Sequence, residues 1–194
     1  MEKLRVAIFV SGKGSNMVEL LKACQQKHYP ATIKLVICDN PKSLALKKTK
    51  KFKVPTELVN LNRYQNRNSF EKEILRLLAI NKIEFICLAG FMKILSHDFV
   101  SKWYGNIINI HPSLLPKYPG LKTHSRALSD NSKITGCSIH FVSSTVDKGP
   151  IIAQSKVNIS VNDNIESLSA KVLIKEHLLY KEVLKSIAEI KTKY

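Results

Sequence analysis

Residues 4–24, LRVAIFVSGKGSNMVELLKAC, decide the fold class. Residues 4–10 form a short apolar run with β-branched positions, which predicts a buried strand. The segment SGKGS (11–15) interrupts this run, and from Asn16 onward the apolar residues recur at helical spacing. A buried strand, a glycine-rich turn and a helix in this order are typical of the opening unit of a doubly wound α/β sheet.

The remainder of the first half repeats this alternation of strands and helices. Strands are predicted over residues 31–39, 55–61 and 83–90, and helices over residues 43–52 and 69–82. Ser69 is the expected N-cap of the second of these helices. Lys72 occupies the position where a capping box needs Glu or Gln, so no reciprocal cap bond is expected there.

The second half is less regular. Strands are predicted over residues 106–110, 137–142 and 150–159, with the proline-rich loop HPSLLPKYPG after the first, and a long amphipathic helix from Asp163 onward. We therefore expect one domain over residues 1–194. It is an α/β domain with a single open, mostly parallel, twisted, Rossmann-like sheet and helices on both faces.

The composition is that of a globular protein with an unusual charge. The chain has 194 residues, of which 44% are hydrophobic, and 31 Lys and Arg against 15 Asp and Glu give a net charge of +16. No apolar stretch has the roughly 20 residues of a membrane helix, and the N-terminal apolar run is too short for a signal peptide. A cytoplasmic protein without membrane contact is expected.

The four cysteines predict no metal site. Cys24, Cys38, Cys87 and Cys137 are far apart and lack the Cys and His spacing of zinc sites. Buried, reduced thiols are expected.

The charge by itself leaves nucleic acid, an anionic membrane and small anionic substrates open as partners. Only 5 of the 31 basic residues are arginine, whereas proteins that recognise nucleic-acid sequences favour arginine. The densest cluster, the lysines of residues 47–53, is interpreted as the solvated face of a helix.

The glycine-rich turn SGKGSN (11–16) is the first candidate site. Glycines let the backbone approach a ligand, and the free N–H groups at the start of a helix attract a phosphate. The turn lacks the GK[ST] of a P-loop, and Met17 stands where the third glycine of a dinucleotide fingerprint would be, although Asp39 could act as the ribose-binding acid. A tight turn without a ligand is the alternative.

The second candidate is Asn109-Ile110-His111, at the carboxyl end of a predicted strand, where open sheets bind ligands. Alternation places Asn109 and His111 on the same side. An amide donor beside an imidazole suits acyl transfer, because the amide stabilises an oxyanion and the imidazole moves protons. A histidine that only satisfies a loop turn is the alternative.

Three further positions are ambiguous. Asp147 precedes a Gly-Pro turn, so it belongs either to the turn or to a carboxylate–histidine contact with His111. His140 is either a core histidine or a substrate contact, and Glu176 with His177 is interpreted as a solvated helix face with an interface histidine. Since no GxSxG nucleophile elbow occurs, direct transfer without a covalent enzyme intermediate is expected.

Six segments together resemble one enzyme family. They are SGKGSN (11–16), LAGFMKIL (88–95), NIHPSLLPKYPGLKTH (109–124), GCSIHFV (136–142), VDKGPIIAQ (146–154) and KEHLLY (175–180). In this order they resemble the phosphoribosylglycinamide formyltransferases, folate-dependent enzymes of purine biosynthesis. The HPSLLP segment alone is shared with other enzymes that use 10-formyltetrahydrofolate.

The resemblance implies both substrates and the residues that bind them. The amine of the ribonucleotide would attack the formyl group of 10-formyltetrahydrofolate, a co-substrate, and no metal is involved. Asn109 and protonated His111 would stabilise the oxyanion, and Asp147 would raise the pKa of His111. The implied ribonucleotide contacts are Gly14, Ser15, Asn16, Lys175 and Glu176. The implied folate contacts are Arg67, Met92, Lys93, Ile94, Leu95, Asn109, Ser143, Ser144, Thr145, Val146 and Asp147.

The resemblance also implies a separate binding role for each half of the chain. The N-terminal half would bind the nucleotide phosphate and the C-terminal half would complete the folate cleft, in a monomer or weak homodimer. Two related enzymes are the alternatives within the same superfamily. 10-Formyltetrahydrofolate hydrolase has an extra N-terminal domain and methionyl-tRNA formyltransferase an extra C-terminal domain, and neither domain is expected in this sequence. A basic nucleic-acid-binding module is the alternative from another class, but only 7% of the residues are aromatic.

Overall fold

The computed structural model describes residues 2–193, and its seven strands form one sheet. The strands are β1 (Leu4–Val10), β2 (Ala31–Cys38), β3 (Thr56–Leu58), β4 (Phe85–Leu88), β5 (Ile107–His111), β6 (Ile134–Phe141) and β7 (Ile151–Asn158). Their order is β3-β2-β1-β4-β5-β6-β7. Neighbours among the first five strands pair in parallel, and β6 pairs antiparallel with both β5 and β7. The predicted mostly parallel α/β sheet is confirmed.

Helices cover both faces of the sheet. They are α1 (Ser15–Cys24), α2 (Ala45–Thr49), α3 (Arg67–Ile80), α4 (His97–Lys102), α5 (Thr123–Ser129) and α6 (Ile165–Lys191), with short 3₁₀ turns at Lys50–Phe52 and Leu61–Arg63. Within residues 2–193, none combines the length and the apolar character that crossing a membrane requires.

Alternation along β1 explains the two layers. Val6 and Ile8 are buried in the same cluster as apolar residues of α1 and α6, whereas Ala7 and Phe9 are buried with residues of α3 and α4. Successive side chains of a strand point to opposite faces, so a continuous apolar run buries a strand on both sides. This is why residues 4–10 form a central strand.

The strand order creates a crevice at one edge of the sheet. The chain moves from β1 to β2 and β3 on one side, and then returns to place β4 and β5 on the other side of β1. At such a switch point the loops after the carboxyl ends of the strands diverge and leave room for a ligand. The loops that follow β1, β4 and β5 therefore border one crevice.

Helix capping differs from the sequence prediction. Helix α3 begins at Arg67, and its N-cap is Asn66, whose Oδ1 accepts a hydrogen bond from the Ser69 N–H while the Asn66 N–H donates to Ser69 Oγ. The assignment of Ser69 as N-cap was wrong, and so was the expectation that this helix has no capping box. Ser69 is the third helical residue and itself supplies the reciprocal bond.

Tyr180 ties α6 to the sheet. The residue is only 1% exposed, and its hydroxyl lies 3.0 Å from the carbonyl oxygen of Leu88 and 3.3 Å from that of Ile108. These carbonyls belong to β4 and β5, so the contact fixes α6 against the two strands that end at the crevice.

All four cysteines are buried and free, as the sequence predicts. Burial raises the pKa of the Cys24 and Cys137 thiols to about 12 and that of Cys87 further still. At neutral pH these thiols are protonated and packed as small apolar groups.

We predict that Tyr180→Phe lowers the free energy of unfolding by about 1–2 kcal/mol, because it removes a buried donor from two carbonyl groups. Urea unfolding followed by circular dichroism measures the change. Tyr104→Phe, at a side chain that is 78% exposed, is the matched control and should have no effect. Equal stability of the two variants would contradict the role of the Tyr180 hydroxyl.

Candidate active site

A cavity of about 500 Å³ occupies the crevice at the carboxyl edge of the sheet. Most of the sequence-predicted site residues line it. They are Asn16, Met92, Lys93, Ile94, Leu95, Asn109, His111, Ser143, Ser144, Val146, Asp147 and Glu176. His140 and Gly120 also line it.

Five predicted site residues are not among those that line this cavity: Arg67, Gly14, Ser15, Thr145 and Lys175. Arg67 is exposed at the start of α3, and Lys175 is exposed on α6. Gly14 and Ser15 belong to the glycine-rich turn beside the cavity. The roles of these residues stay predictions.

Strand β5 presents Asn109 and His111 to the cavity, as alternation predicts. Nδ1 of His111 lies 3.3 Å from Oδ2 of Asp147, so the two groups that the sequence could not connect are in contact. Nε2 of His111 lies 2.8 Å from the Tyr118 carbonyl oxygen. Both ring nitrogens therefore face acceptors, an arrangement that a protonated imidazole satisfies completely.

His140 completes the cluster, and the sequence left its role open. Its Nδ1 lies 2.8 Å from the Phe141 carbonyl oxygen, while Nε2 lies 3.2 Å from Asn109 Nδ2 and 3.5 Å from Asp147 Oδ1. In the antiparallel pair of β5 and β6, His140 stands directly opposite Asn109. The register between these strands, which no local pattern encodes, makes His140 a neighbour of the site.

The turn between β6 and β7 brings Asp147 to the two histidines. Asp147 has a φ of 54°, and its Oδ2 accepts a 2.7 Å hydrogen bond from the Gly120 N–H. A Cβ atom at position 149 would lie 1.7 Å from the Phe141 carbonyl oxygen, so only glycine lets the turn close this tightly. Turn geometry and a carboxylate contact, which were alternatives in the sequence, are both present.

Burial and the neighbouring polar groups shift the pKa values of His111 and Asp147 in opposite directions. Burial lowers the pKa of His111, while the Tyr118 carbonyl and the Asp147 carboxylate raise it without restoring the ordinary value. Asp147 thus acts on the pKa of His111 in the expected direction, but burial outweighs it. Burial raises the pKa of Asp147, but His140, the Gly120 N–H and His111 together hold it below the ordinary value.

Buried hydroxyl groups hold the proline-rich loop that carries Tyr118 and Gly120. Ser113 Oγ lies 2.6 Å from the Lys117 carbonyl oxygen, and Ser138 Oγ donates to the Ser113 carbonyl at 2.6 Å. Neither serine is exposed. The carbonyl group that faces His111 therefore belongs to a loop with fixed internal hydrogen bonds.

The glycine-rich turn has the geometry of an anion site. Gly14 has a φ of 68°, and a Cβ there would lie 2.8 Å from Cβ of Ala45, so this position requires glycine. Ser15, Asn16 and Met17 form the first turn of α1. Within residues 2–193, none of their backbone N–H groups donates a hydrogen bond to a protein acceptor.

Glu176 lies behind this turn and is 8% exposed, so its interpretation as part of a solvated face was wrong. The Asn16 amide nitrogen lies 2.6 Å from Glu176 Oε2. Burial raises the pKa of Glu176, and the hydrogen bond from Asn16 opposes this increase. A polar pair at the back of the cavity can accept and donate hydrogen bonds to a hydroxylated ligand.

Comparison with known proteins identifies the family. The model of the family described as formyl transferase matches residues 4–184. The chain belongs to the formyl transferase family. An amide donor and an imidazole at the wall of the cavity suit acyl transfer, the class of reaction to which formyl transfer belongs.

Individual formyl transferases agree with this assignment. The chain is 33% identical to phosphoribosylglycinamide formyltransferase of Escherichia coli, over 96% of this chain and 88% of that protein. It is 39% identical to the human trifunctional purine biosynthetic protein adenosine-3, but spans only 18% of that protein's length. A crystal structure of phosphoribosylglycinamide formyltransferase from Brucella melitensis superposes with a TM-score of 0.93, at 41% identity and 96% coverage of both chains. The resemblance that the six segments indicate is confirmed.

We predict that Asp147→Asn lowers the pKa of His111 further, because the carboxylate that favours the protonated ring is lost. The titration of a histidine, normally between about pH 5 and 8, then moves to lower pH, and less of the ring is protonated at each pH in that range. NMR of the imidazole resonances measures the shift.

Asp98→Asn is the control, since it removes the same charge from a side chain that is 94% exposed on α4. An unchanged or higher pKa of His111 in Asp147→Asn would contradict the contact.

Proposed function

We propose that the chain transfers the formyl group of 10-formyltetrahydrofolate to the amine of N1-(5-phospho-D-ribosyl)glycinamide, in de novo purine biosynthesis. One observation carries the proposal: Asn109, His111 and Asp147 meet at the wall of a cavity that extends to Asn16 beside the anion-binding turn. The names of relatives that match this chain along most of their length support it.

Each half of the chain has a distinct role in this proposal. The N-terminal half binds the ribonucleotide phosphate through Gly14, Ser15 and Asn16, with Lys175 and Glu176 of α6 as further contacts. The C-terminal half completes the folate cleft with residues 143–147. Met92 and Ile94, which are 61% and 58% exposed at the cavity, suit the aromatic rings of a folate. Arg67 stays a predicted folate contact.

The proposed transfer proceeds directly between the substrates. The amine nitrogen attacks the formyl carbon, and the carbonyl oxygen becomes an oxyanion that the Asn109 amide stabilises by a hydrogen bond and protonated His111 stabilises by its positive charge. The tetrahedral intermediate collapses when the bond from carbon to N10 of the folate breaks. The amine loses one proton and N10 gains one, so tetrahydrofolate and the formylated ribonucleotide are the products.

Asp147 supports this chemistry through its contact with His111. A carboxylate that stays ionised at neutral pH stabilises the imidazolium form and fixes its orientation. The proposal includes 10-formyltetrahydrofolate as co-substrate and no metal, nucleic acid or membrane partner. A cytoplasmic location and a monomer or weak homodimer stay predictions.

We predict that formyl transfer requires both substrates. Tetrahydrofolate should form from 10-formyltetrahydrofolate at a rate that depends on the ribonucleotide, and the formylated product should appear in equal amount. Absorbance of the folate and mass spectrometry of the ribonucleotide measure the two products. Folate turnover that is equally fast without the ribonucleotide would instead establish the hydrolase.

We predict that His111→Ala lowers kcat by about 10²- to 10⁴-fold, the usual contribution of a proton-transferring side chain. His97→Ala is the matched control, because that ring is 76% exposed on α4. Circular dichroism checks that both variants are folded. Near-normal turnover of His111→Ala would remove this residue from the mechanism.

A further inference from the structure

A row of three polar residues crosses the antiparallel part of the sheet. In the register of β5, β6 and β7, His111 stands opposite Ser138, and Ser138 stands opposite Gln154. Gln154 ends the segment VDKGPIIAQ (146–154), of which the proposed chemistry uses only the first residues. It lies on the edge strand and is exposed, yet its amide nitrogen contacts two hydrogen-bond acceptors.

The hydrogen bonds of Gln154 can run in one direction only. Its Nε2 lies 2.9 Å from the Leu115 carbonyl oxygen, which can only accept, and 2.7 Å from Ser138 Oγ. Ser138 Oγ donates its one proton to the Ser113 carbonyl at 2.6 Å and accepts a 3.0 Å hydrogen bond from the Leu115 N–H. Gln154 therefore supplies the second donor to this hydroxyl, and the hydrogen-bonding capacity of the hydroxyl is then completely used.

These bonds reach the far side of the proline-rich loop. Ser113 and Leu115, which Gln154 holds directly or through Ser138, lie at the start of this loop. Ser113 Oγ in turn contacts the carbonyl oxygens of Lys117, at 2.6 Å, and of Tyr118, at 3.2 Å. The position of the Tyr118 carbonyl therefore depends on a chain of hydrogen bonds that begins at the edge strand.

Two backbone groups of this loop favour the charged forms of His111 and Asp147. Burial lowers the pKa of His111, and the Tyr118 carbonyl, 2.8 Å from Nε2, opposes this decrease. Burial raises the pKa of Asp147, while His140 and the Gly120 N–H, which donates at 2.7 Å, lower it. A displacement of the loop would weaken both backbone contacts at once, so the ionised pair depends on where the loop lies.

We propose that Gln154 is a positioning residue for His111. Its amide group holds Ser138 and Leu115, these residues hold the proline-rich loop, and the loop places the Tyr118 carbonyl at the Nε2 proton of His111. The expected loss of turnover rests on the proposed function, whereas the expected effect on the imidazole does not.

Gln154→Met tests the proposal, because it keeps the length of the side chain and removes both N–H donors without changing any charge. We expect the pKa of His111 to fall, since the displaced Tyr118 carbonyl no longer stabilises the protonated ring. NMR titration of the imidazole resonances measures this pKa. The charged and titratable groups near the ring stay in place in this variant; they are Asp147, His140, Arg126 and His124.

Formyl transfer provides a second readout. We expect kcat of Gln154→Met to fall about 10- to 100-fold, as a small misplacement of a reacting group can cause. The protonated imidazole is the active form, so kcat decreases as the pH rises through the pKa of His111. In Gln154→Met this decrease should begin at a lower pH than in the wild-type protein. Gln154→Glu keeps the shape but replaces the donors by acceptors, and it should lose at least as much turnover.

Asn158→Leu is the matched control, because it replaces an exposed amide on the same strand by an apolar group of similar shape. It should change neither kcat nor the pKa of His111. An equal pKa of His111 in Gln154→Met and Asn158→Leu would overturn the proposal. A normal kcat in Gln154→Glu would overturn it as well, because the donor would then not be needed.

Urea unfolding separates positioning from a contribution to stability alone. If Gln154→Met is less stable but keeps the wild-type pH profile and pKa of His111, Gln154 is only structural and the proposal is overturned. If the wild-type protein transfers no formyl group, the proposed function fails, and the NMR titration still decides whether Gln154 positions His111.

Discussion

The carboxylate of Asp147 is the group on which the arrangement of the site depends. One oxygen accepts a hydrogen bond from the Gly120 N–H and faces His111, and the other faces His140. These partners lie on the proline-rich loop, on β5 and on β6. A side chain that is 8% exposed loses most of its hydration, so its charge is stable only while these partners stay in place. The same contacts that keep Asp147 ionised therefore fix the three elements relative to one another.

Two carboxyl groups line the cavity, those of Asp147 and Glu176, and their surroundings shift their pKa values in opposite directions. Asp147 faces a backbone N–H and two imidazoles, which lower its pKa, whereas Glu176 is buried with one amide partner and its pKa is raised. Neighbouring acids with opposite shifts suit different tasks, since one stabilises positive charge and the other exchanges hydrogen bonds with a neutral group. Asp147 lies on the turn between β6 and β7, and Glu176 lies on α6.

Local sequence patterns predicted those elements whose stability is local. The strand of residues 4–10 has its predicted bounds because a continuous apolar run specifies a strand buried on both faces. Two short helices, α4 and α5, were missed. Helix α4 has only six residues, and its N-cap Ser96 is bound by the buried side chain of Glu71 from α3, a contact between distant segments. Short helices of this kind depend on tertiary contacts that periodicity does not encode.

The site residues, too, could be predicted where they depend on a local pattern and not where they depend on contacts between distant segments. Asn109 and His111 were found because they alternate along one strand and stand at its carboxyl end. The contact between His111 and Asp147 could not be derived, because it depends on the path of a turn between two other strands. His140 required the register of β5 and β6, which depends on pairing between two strands and not on a local pattern.

The burial of all four thiols gives the molecule a practical property. Cysteines inside a packed core are shielded from reagents and react slowly with maleimides and with mild oxidants. A cysteine introduced at an exposed position outside the cleft, such as Val161, would then be the preferred point of attachment for a fluorophore. The protein can thus be labelled at one chosen position without first removing its native cysteines.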